Sequence, residues 1–150
     1  MDRDLETLID RTRIIEIVSQ LFIGTDNRDW ALVRRCLAPS VLFDMSSLGG
    51  GPPRQMTPDE IIAGWDAGLK PIASVHHQAA NHLVKVAGRH AEAFCYGIAV
   101  HYLPDQPKGN TRTFVGSYDF AFVKSAGTWA IEGFRFNLKF IDGNADLGKS

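Results

Sequence analysis

The sequence predicts an α+β fold, with three helices first and an antiparallel sheet after them. Three observations carry that expectation. Over residues 4–26 apolar side chains recur mostly at three-to-four spacing, the period of a helix with one buried face. From Ala73 onward the period drops to two, in long runs bounded by Gly, Pro and Asn. The breaks at Ala87-Gly88-Arg89 and Ser125-Ala126-Gly127 are short enough to join neighbouring strands, which makes the second half a meander.

Each element has its own signal. In the first helix Leu5, Leu8, Ile15, Val18, Leu21 and Phe22 form the apolar stripe, and Asp4 and Glu6 suit the positive end of its dipole. Gly24 weakens its end. Asp26-Asn27 can cap a short second helix through Trp30, Val33 and Leu37, which Ala38-Pro39-Ser40 stops. Val41–Met45 reads as a short strand, and Gly49-Gly50-Gly51-Pro52-Pro53 as an irregular loop or broken hairpin. Thr57, Pro58 and Glu60 form a capping box that opens a third helix, ending before Pro71. Four strands follow at about 74–87, 91–103, 111–124 and 128–140, then a mostly polar tail from Asp142 to Ser150. No repeat or linker interrupts the 150 residues, so one domain over 1–150 is expected. Three helices cover only one face of such a sheet. A sheet curved over the first helix encloses a one-ended cavity.

The totals exclude several function classes. The net charge is −1 and both signs are mixed along the chain, which argues against nucleic acid or an anionic membrane as partner. No apolar run approaches the length of a membrane span, and the charged N-terminus has no signal core. Cys36 and Cys95 lie far apart without metal-type spacing. A reduced, cytoplasmic setting is expected.

Candidate chemistry centres on Ser74–Asn81, which holds two of the five histidines. His77, Ala79 and Asn81 share one strand face, whereas Val84 and Val86 have the opposite parity. Both sets face inward only if a β-bulge lies near His82–Leu83. His76 then faces away, and His82 and His90 read as surface residues. On the next strand Ala91, Ala93, Cys95, Gly97 and Ala99 form an unusually small face closed by His101. Such a face leaves room for a ligand, or for a closely packed helix. On the third strand Ser117, Asp119 and Ala121 oppose Tyr118 and Phe120. On the fourth, Trp129, Ile131, Gly133, Arg135 and Asn137 oppose Phe134 and Phe136.

The order of these pieces resembles a known family. A long first helix ends in Thr25-Asp26-Asn27-Arg28-Asp29-Trp30. Then come His77-Gln78-Ala79-Ala80-Asn81, Ala91-Glu92-Ala93 through His101, Gly116-Ser117-Tyr118 and Gly127-Thr128-Trp129-Ala130-Ile131. This pattern resembles the SnoaL-like branch of the NTF2-like superfamily, and within it the scytalone dehydratase and bile-acid dehydratase group. The resemblance implies a cone-shaped α+β barrel with a deep pocket, commonly a homodimer or higher homo-oligomer. It also implies cofactor-independent chemistry, with Asp26 paired to His77, His101 as a second histidine and Ser117 as a polar contact. The group carries tyrosines on or near the first helix that polarise a substrate carbonyl. Here the matching turn offers Leu21, Phe22 and Thr25, so Tyr96 or Tyr118 must face inward to replace them.

An imidazole titrates near neutrality, and a carboxylate on its far nitrogen fixes its tautomer and stabilises its cation. Asp26–His77 would suit proton abstraction beside a carbonyl, followed by loss of water or reprotonation. The plainer reading is that Asp26 only caps the second helix. Two histidines and a carboxylate also have the composition of a non-haem iron site, but the spacing is not diagnostic and no metal or other cofactor is expected. Phe22, Trp65, Asn81, Ser117 and Tyr118 are the expected substrate contacts; Asn81 has a structural alternative in the bulge. Trp30 and Trp129 read as core. The expected function is a small-molecule lyase (dehydratase) or isomerase acting on a small ring compound bearing oxygen. The alternative is a non-catalytic ligand-binding or assembly module, which the missing tyrosine favours.

Overall fold

The structure is a computed structural model that describes residues 2–149; Met1 and Ser150 lie outside the described residues. The first helix, α1, spans Arg3–Asp26. Asp2 caps it, accepting from the Asp4 amide at 3.1 Å. Its apolar stripe buries Ile14, Val18 and Leu21 completely. One carboxylate, that of Asp10, is also buried there. Trp129 Nε1 and Lys124 Nζ donate to it at 2.9 and 3.1 Å, and these bonds hold its pKa below the usual carboxylate value against the opposing effect of burial.

The second helix, α2, spans Trp30–Cys36, and its cap is Asp29, not Asp26. Asp29 accepts from the Leu32 amide at 3.1 Å. The chain reaches it through Arg28, whose φ of 53° makes the sharp turn after α1. Strand β1 (Leu37–Asp44) follows at once. A 3₁₀ turn (Ser46–Leu48) and strand β2 (Arg54–Met56) complete the broken hairpin. The third helix, α3 (Pro58–Leu69), has the expected capping box: the Glu60 amide donates to Thr57 Oγ1 at 3.2 Å and the Thr57 amide to Glu60 Oε1 at 3.3 Å.

Strands β3 (Ser74–Ala87), β4 (His90–Tyr102), β5 (Thr111–Ser125) and β6 (Thr128–Gly143) form the antiparallel meander. The sheet order is β2-β1-β6-β5-β4-β3. One pairing departs from the expected antiparallel sheet: β1 joins β6 in parallel. Pro39 lies within the register shift between Leu37 and Leu42, where a residue without an amide donor does least harm to a ladder. With β2 and β3 at opposite edges the sheet curves around α1 without closing.

Bulges decide which side chains face inward. In β3 the register shifts between Ala80 and Leu83, and Asn81 takes the left-handed conformation with φ 60°. In β6, Ile131 pairs with Phe122 and Gly133 with Ala121, so Glu132 is an extra residue. That residue switches parity. Trp129, Ile131, Phe134 and Phe136 are therefore all buried on one side, where simple alternation would oppose the first two to the last two. The segment after β6 is not merely polar. Leu147 is buried beside Leu69, Ile72 and Val75, and ties the C-terminal segment to the end of α3 and the start of β3. Cys36 and Cys95 are both free and buried. No described helix is long and apolar enough to cross a membrane.

Candidate active site

Asp26 is the last residue of α1. A carboxylate there meets the negative end of the helix dipole, an unfavourable place for it. What compensates is β3. The His77 amide donates to Asp26 Oδ2 at 2.9 Å, and His77 Nδ1 lies 2.6 Å from Oδ1. Both side chains are 14% exposed, so the pair is largely withdrawn from water. The His77 ring stacks on Phe22, with centroids 5.1 Å apart and planes 14° from parallel. Its neighbour His76 points the other way and is exposed. With Asp26 on Nδ1, the nitrogen left for other work is Nε2.

His101, near the end of β4, has a different partner. Arg112 Nη2 lies 2.9 Å from His101 Nδ1. Burial, then the charges of Arg112 and His77, press the His101 pKa down to about 4, with Asp26 opposing. Tyr118 projects from β5 between Phe22 and Phe136, at 4.9 Å from each ring. Burial pushes its phenol pKa up, so it remains an O–H donor. The small face of β4 explains its position. A Cβ on Gly97 would sit 2.1 Å from the Tyr118 ring, so glycine there is what admits the phenol.

These groups line a cavity of about 150 Å³ between α1, α3 and the inner sheet face. Its wall is mostly apolar and includes Trp65, Phe134, Met45 and Leu48 along with the two histidines. Met45 caps the start of the 3₁₀ turn and Leu48 is its last residue; Ser47 ties the turn to β6 by donating to the Phe136 carbonyl at 2.7 Å. A broader, open groove of about 550 Å³ lies on the outer face between Asp44, Lys85, Glu92, Asp119 and Arg135. It holds no histidine, and its width and charge suit solvent more than proton chemistry. Among the described residues no three His, Cys, Asp or Glu side chains gather as a metal-holding cluster. The guanidinium on His101 also disfavours a cation at that end.

A SnoaL-like domain matches residues 6–135, most of the chain. The chain belongs to the SnoaL-like domain family. Solved structures share its fold. A protein of Kribbella flavida is 25% identical over 96% of this chain and 99% of its own, with a TM-score of 0.88. A hexachlorocyclohexane dehydrochlorinase of Novosphingobium barchaimii is 16% identical, over 95% of this chain and 94% of its own, with a TM-score of 0.80. A candidate scytalone dehydratase of Novosphingobium aromaticivorans is 13% identical, over 92% and 89% of the two chains, with a TM-score of 0.78. No curated protein matches the chain.

Within this SnoaL-like domain, Phe22, Trp65, His77, His101 and Tyr118 converge on the cavity, with Asp26 behind His77. Two expected contacts do not. Ser117 has the opposite parity to Tyr118 and is buried on the far side of β5, accepting from Asn137 Nδ2 at 3.2 Å. Asn81 is spent on the bulge, where its left-handed backbone is needed, and its side chain is exposed away from the cavity. His82 is not a surface residue: the bulge turns it half inward, its Nε2 is buried with no hydrogen-bond partner among the described residues, and burial lowers its pKa. Arg112, Met45 and Leu48 carry no sequence signal. Arg112 follows a Pro/Gly loop like any exposed strand start, and the other two flank what reads as an irregular loop. Phe134 joins the cavity only because of the Glu132 bulge.

Proposed function

We propose that this SnoaL-like domain is a lyase of the dehydratase type, with His77 as its base. The observation that carries the reading is the His77–Asp26 pair, at 2.6 Å, on the wall of a mostly apolar cavity. Asp26 accepts a hydrogen bond from Nδ1–H, which leaves the lone pair on Nε2. That nitrogen takes a proton from carbon beside a substrate carbonyl. The C–H electron pair becomes a double bond as the bond to a β-hydroxyl breaks. Hydroxide leaves with its own pair and recovers the proton from the imidazolium as water. Returning the proton to a different carbon instead gives isomerisation. Tyr118 and His101 line the same cavity, and in this reading they donate to the carbonyl oxygen as charge develops on it, Tyr118 in the part that a tyrosine on the first helix would play.

The dehydrochlorinase and the candidate dehydratase are both named for eliminations, which supports elimination as the step here. A cavity of about 150 Å³ suits a single six-membered ring bearing oxygen. The test is proton exchange and water loss on a panel of cyclic ketones and monocyclic β-hydroxy carbonyls, comparing wild type with His77→Ala. Wild type should exceed the variant by about 10²-fold or more on at least one compound. Equal inactivity of both proteins, with ring compounds still bound, would replace the enzyme with a ligand-binding module.

The working form is a homodimer or higher homo-oligomer. Leu83, Tyr96 and Ile98 crowd the outer face of the sheet and stay 67%, 45% and 43% exposed, the kind of apolar patch that association covers. Sedimentation at a single 16.6 kDa mass across micromolar concentrations would contradict this.

A further inference from the structure

We propose that Arg112 is a positioning residue that holds His101 neutral, with its proton on Nε2, so that this histidine donates a hydrogen bond into the cavity and does not serve as a second base. The inference rests on the lyase reading for its catalytic meaning, but not for its geometry. A guanidinium has only donors. With Arg112 Nη2 at 2.9 Å, His101 Nδ1 has to be the acceptor, and a neutral ring then carries its proton on Nε2. A doubly protonated ring would turn an N–H toward the guanidinium. The titratable and charged groups facing His101 are Arg112 on β5, His77 on β3 and Asp26 at the end of α1. Two of them, with burial, oppose a positive ring; only Asp26 favours one, and it is already engaged by His77.

Arg112 has little freedom to do anything else. It is the cross-strand partner of His101 in the β4–β5 ladder. Its guanidinium carbon lies 5.3 Å from the Phe114 ring, and Nη1 donates to the Leu147 carbonyl at 3.2 Å. Leu147 is itself buried against Leu69, Ile72 and Val75. The C-terminal segment therefore holds Arg112, and Arg112 holds His101. Arg112 Nε is buried with no hydrogen-bond partner among the described residues, a penalty that such a placement carries. The substrate follows from the pair of histidines: it must offer an acidic C–H at the His77 end and a hydrogen-bond acceptor at the His101 end. A ring of the same size without the acceptor should bind and not react.

The test is ¹⁵N–¹H spectroscopy of the histidine rings, with His101 assigned by its loss in His101→Gln. Wild type should show the Nε2-protonated form from pH 5 to pH 8. Arg112→Met should give a mixture of tautomers and a titration midpoint shifted upward. In an active protein it should also lower kcat about 10–100-fold, as loss of a supporting contact does at other sites. A wild-type His101 protonated on Nδ1, or titrating at an ordinary imidazole pKa, overturns the proposal even if the variant does not fold. So does an unchanged tautomer in a folded Arg112→Met. The spectra need no substrate. A locked His101 in a protein that turns over nothing would remove the lyase reading and leave the lock; an unlocked ring in an active enzyme would do the reverse.

Discussion

The α1–β3 junction and the β4–β5 corner each bring one histidine to the same cavity, and they prepare it in opposite ways. At the first, a carboxylate accepts from His77 Nδ1. At the second, a guanidinium donates to His101 Nδ1. On the proposed reading the same side chain serves as a proton acceptor in one place and as a hydrogen-bond donor in the other. What distinguishes them is the partner behind the ring, not the ring itself, and the two partners come from different distances along the chain: Asp26 from another element far upstream, Arg112 from the adjacent strand.

Glutamine breaks this comparison most sharply. At position 77 an amide has no basic nitrogen, so His77→Gln should cost about 10²–10⁴ in turnover, as loss of a general base does. Asp26→Asn should approach the same loss, because an amide no longer holds the Nδ1 proton in place. At position 101 an amide can accept from Arg112 with its oxygen and donate into the cavity with its nitrogen. His101→Gln should then retain most activity, whereas His101→Leu should lose about 10²-fold, the order expected for removing one donor to a developing oxyanion. Steady-state kinetics on any turned-over ring compound checks all four. Equal losses in His101→Gln and His101→Leu would mean that His101 acts as an acid or base after all.

Part of this contrast was legible in the sequence. The helices, the meander and the capping box at Thr57–Glu60 follow from periodicity and local chemistry, which depend only on near neighbours, and the same parity makes a bulge near His82 the condition for His77 to face inward. The parity of His77 against His76 follows in the same way. The partners do not. The resemblance paired Asp26 with His77, but nothing in the sequence weighs against Asp26 as a cap, because the choice between Asp26 and Asp29 turns on the φ of Arg28. Ser117 and Phe134 show the same limit. Ser117 faced an unresolvable choice of side, and Phe134 reached the cavity through one extra residue, Glu132, that no pattern marks. Arg112 was missed because an arginine at a strand start looks solvent-exposed until the C-terminal segment folds back on it.

Acid stability separates the two corners by a smaller amount. The folded-state pKa of His101 is lowered to about 4, below the ordinary histidine value near 6.5 in the unfolded chain. Between those values the unfolded chain binds the extra proton, so stability should be full above about pH 6.5 and fall as pH drops toward 4. The loss is on the order of 3 kcal/mol if His101 acts alone. Denaturant melts of wild type and His101→Gln at pH 7 and pH 4.5 check it: the variant should lose less on acidification. Gly97→Ala sharpens the same wall from the packing side. Its new methyl meets the Tyr118 ring, and overpacking of this kind costs about 1–3 kcal/mol. The melting temperature should fall and Tyr118 should leave the cavity, so turnover should drop more than stability alone explains.

The smallest expected effect is the most specific. His76 and His77 are adjacent, with the same side chain on the same strand, and the pleat sends them to opposite faces. His76 is exposed and has no partner among the hydrogen bonds of the described residues, so removing it deletes neither a base nor a buried contact. His76→Ala should change stability by no more than about 0.5 kcal/mol and leave turnover unchanged. If it instead lowers activity as far as His77→Ala does, the strand is in the other register. Asp26 would then be paired with a bystander, and the comparison between the two corners would lose its first half.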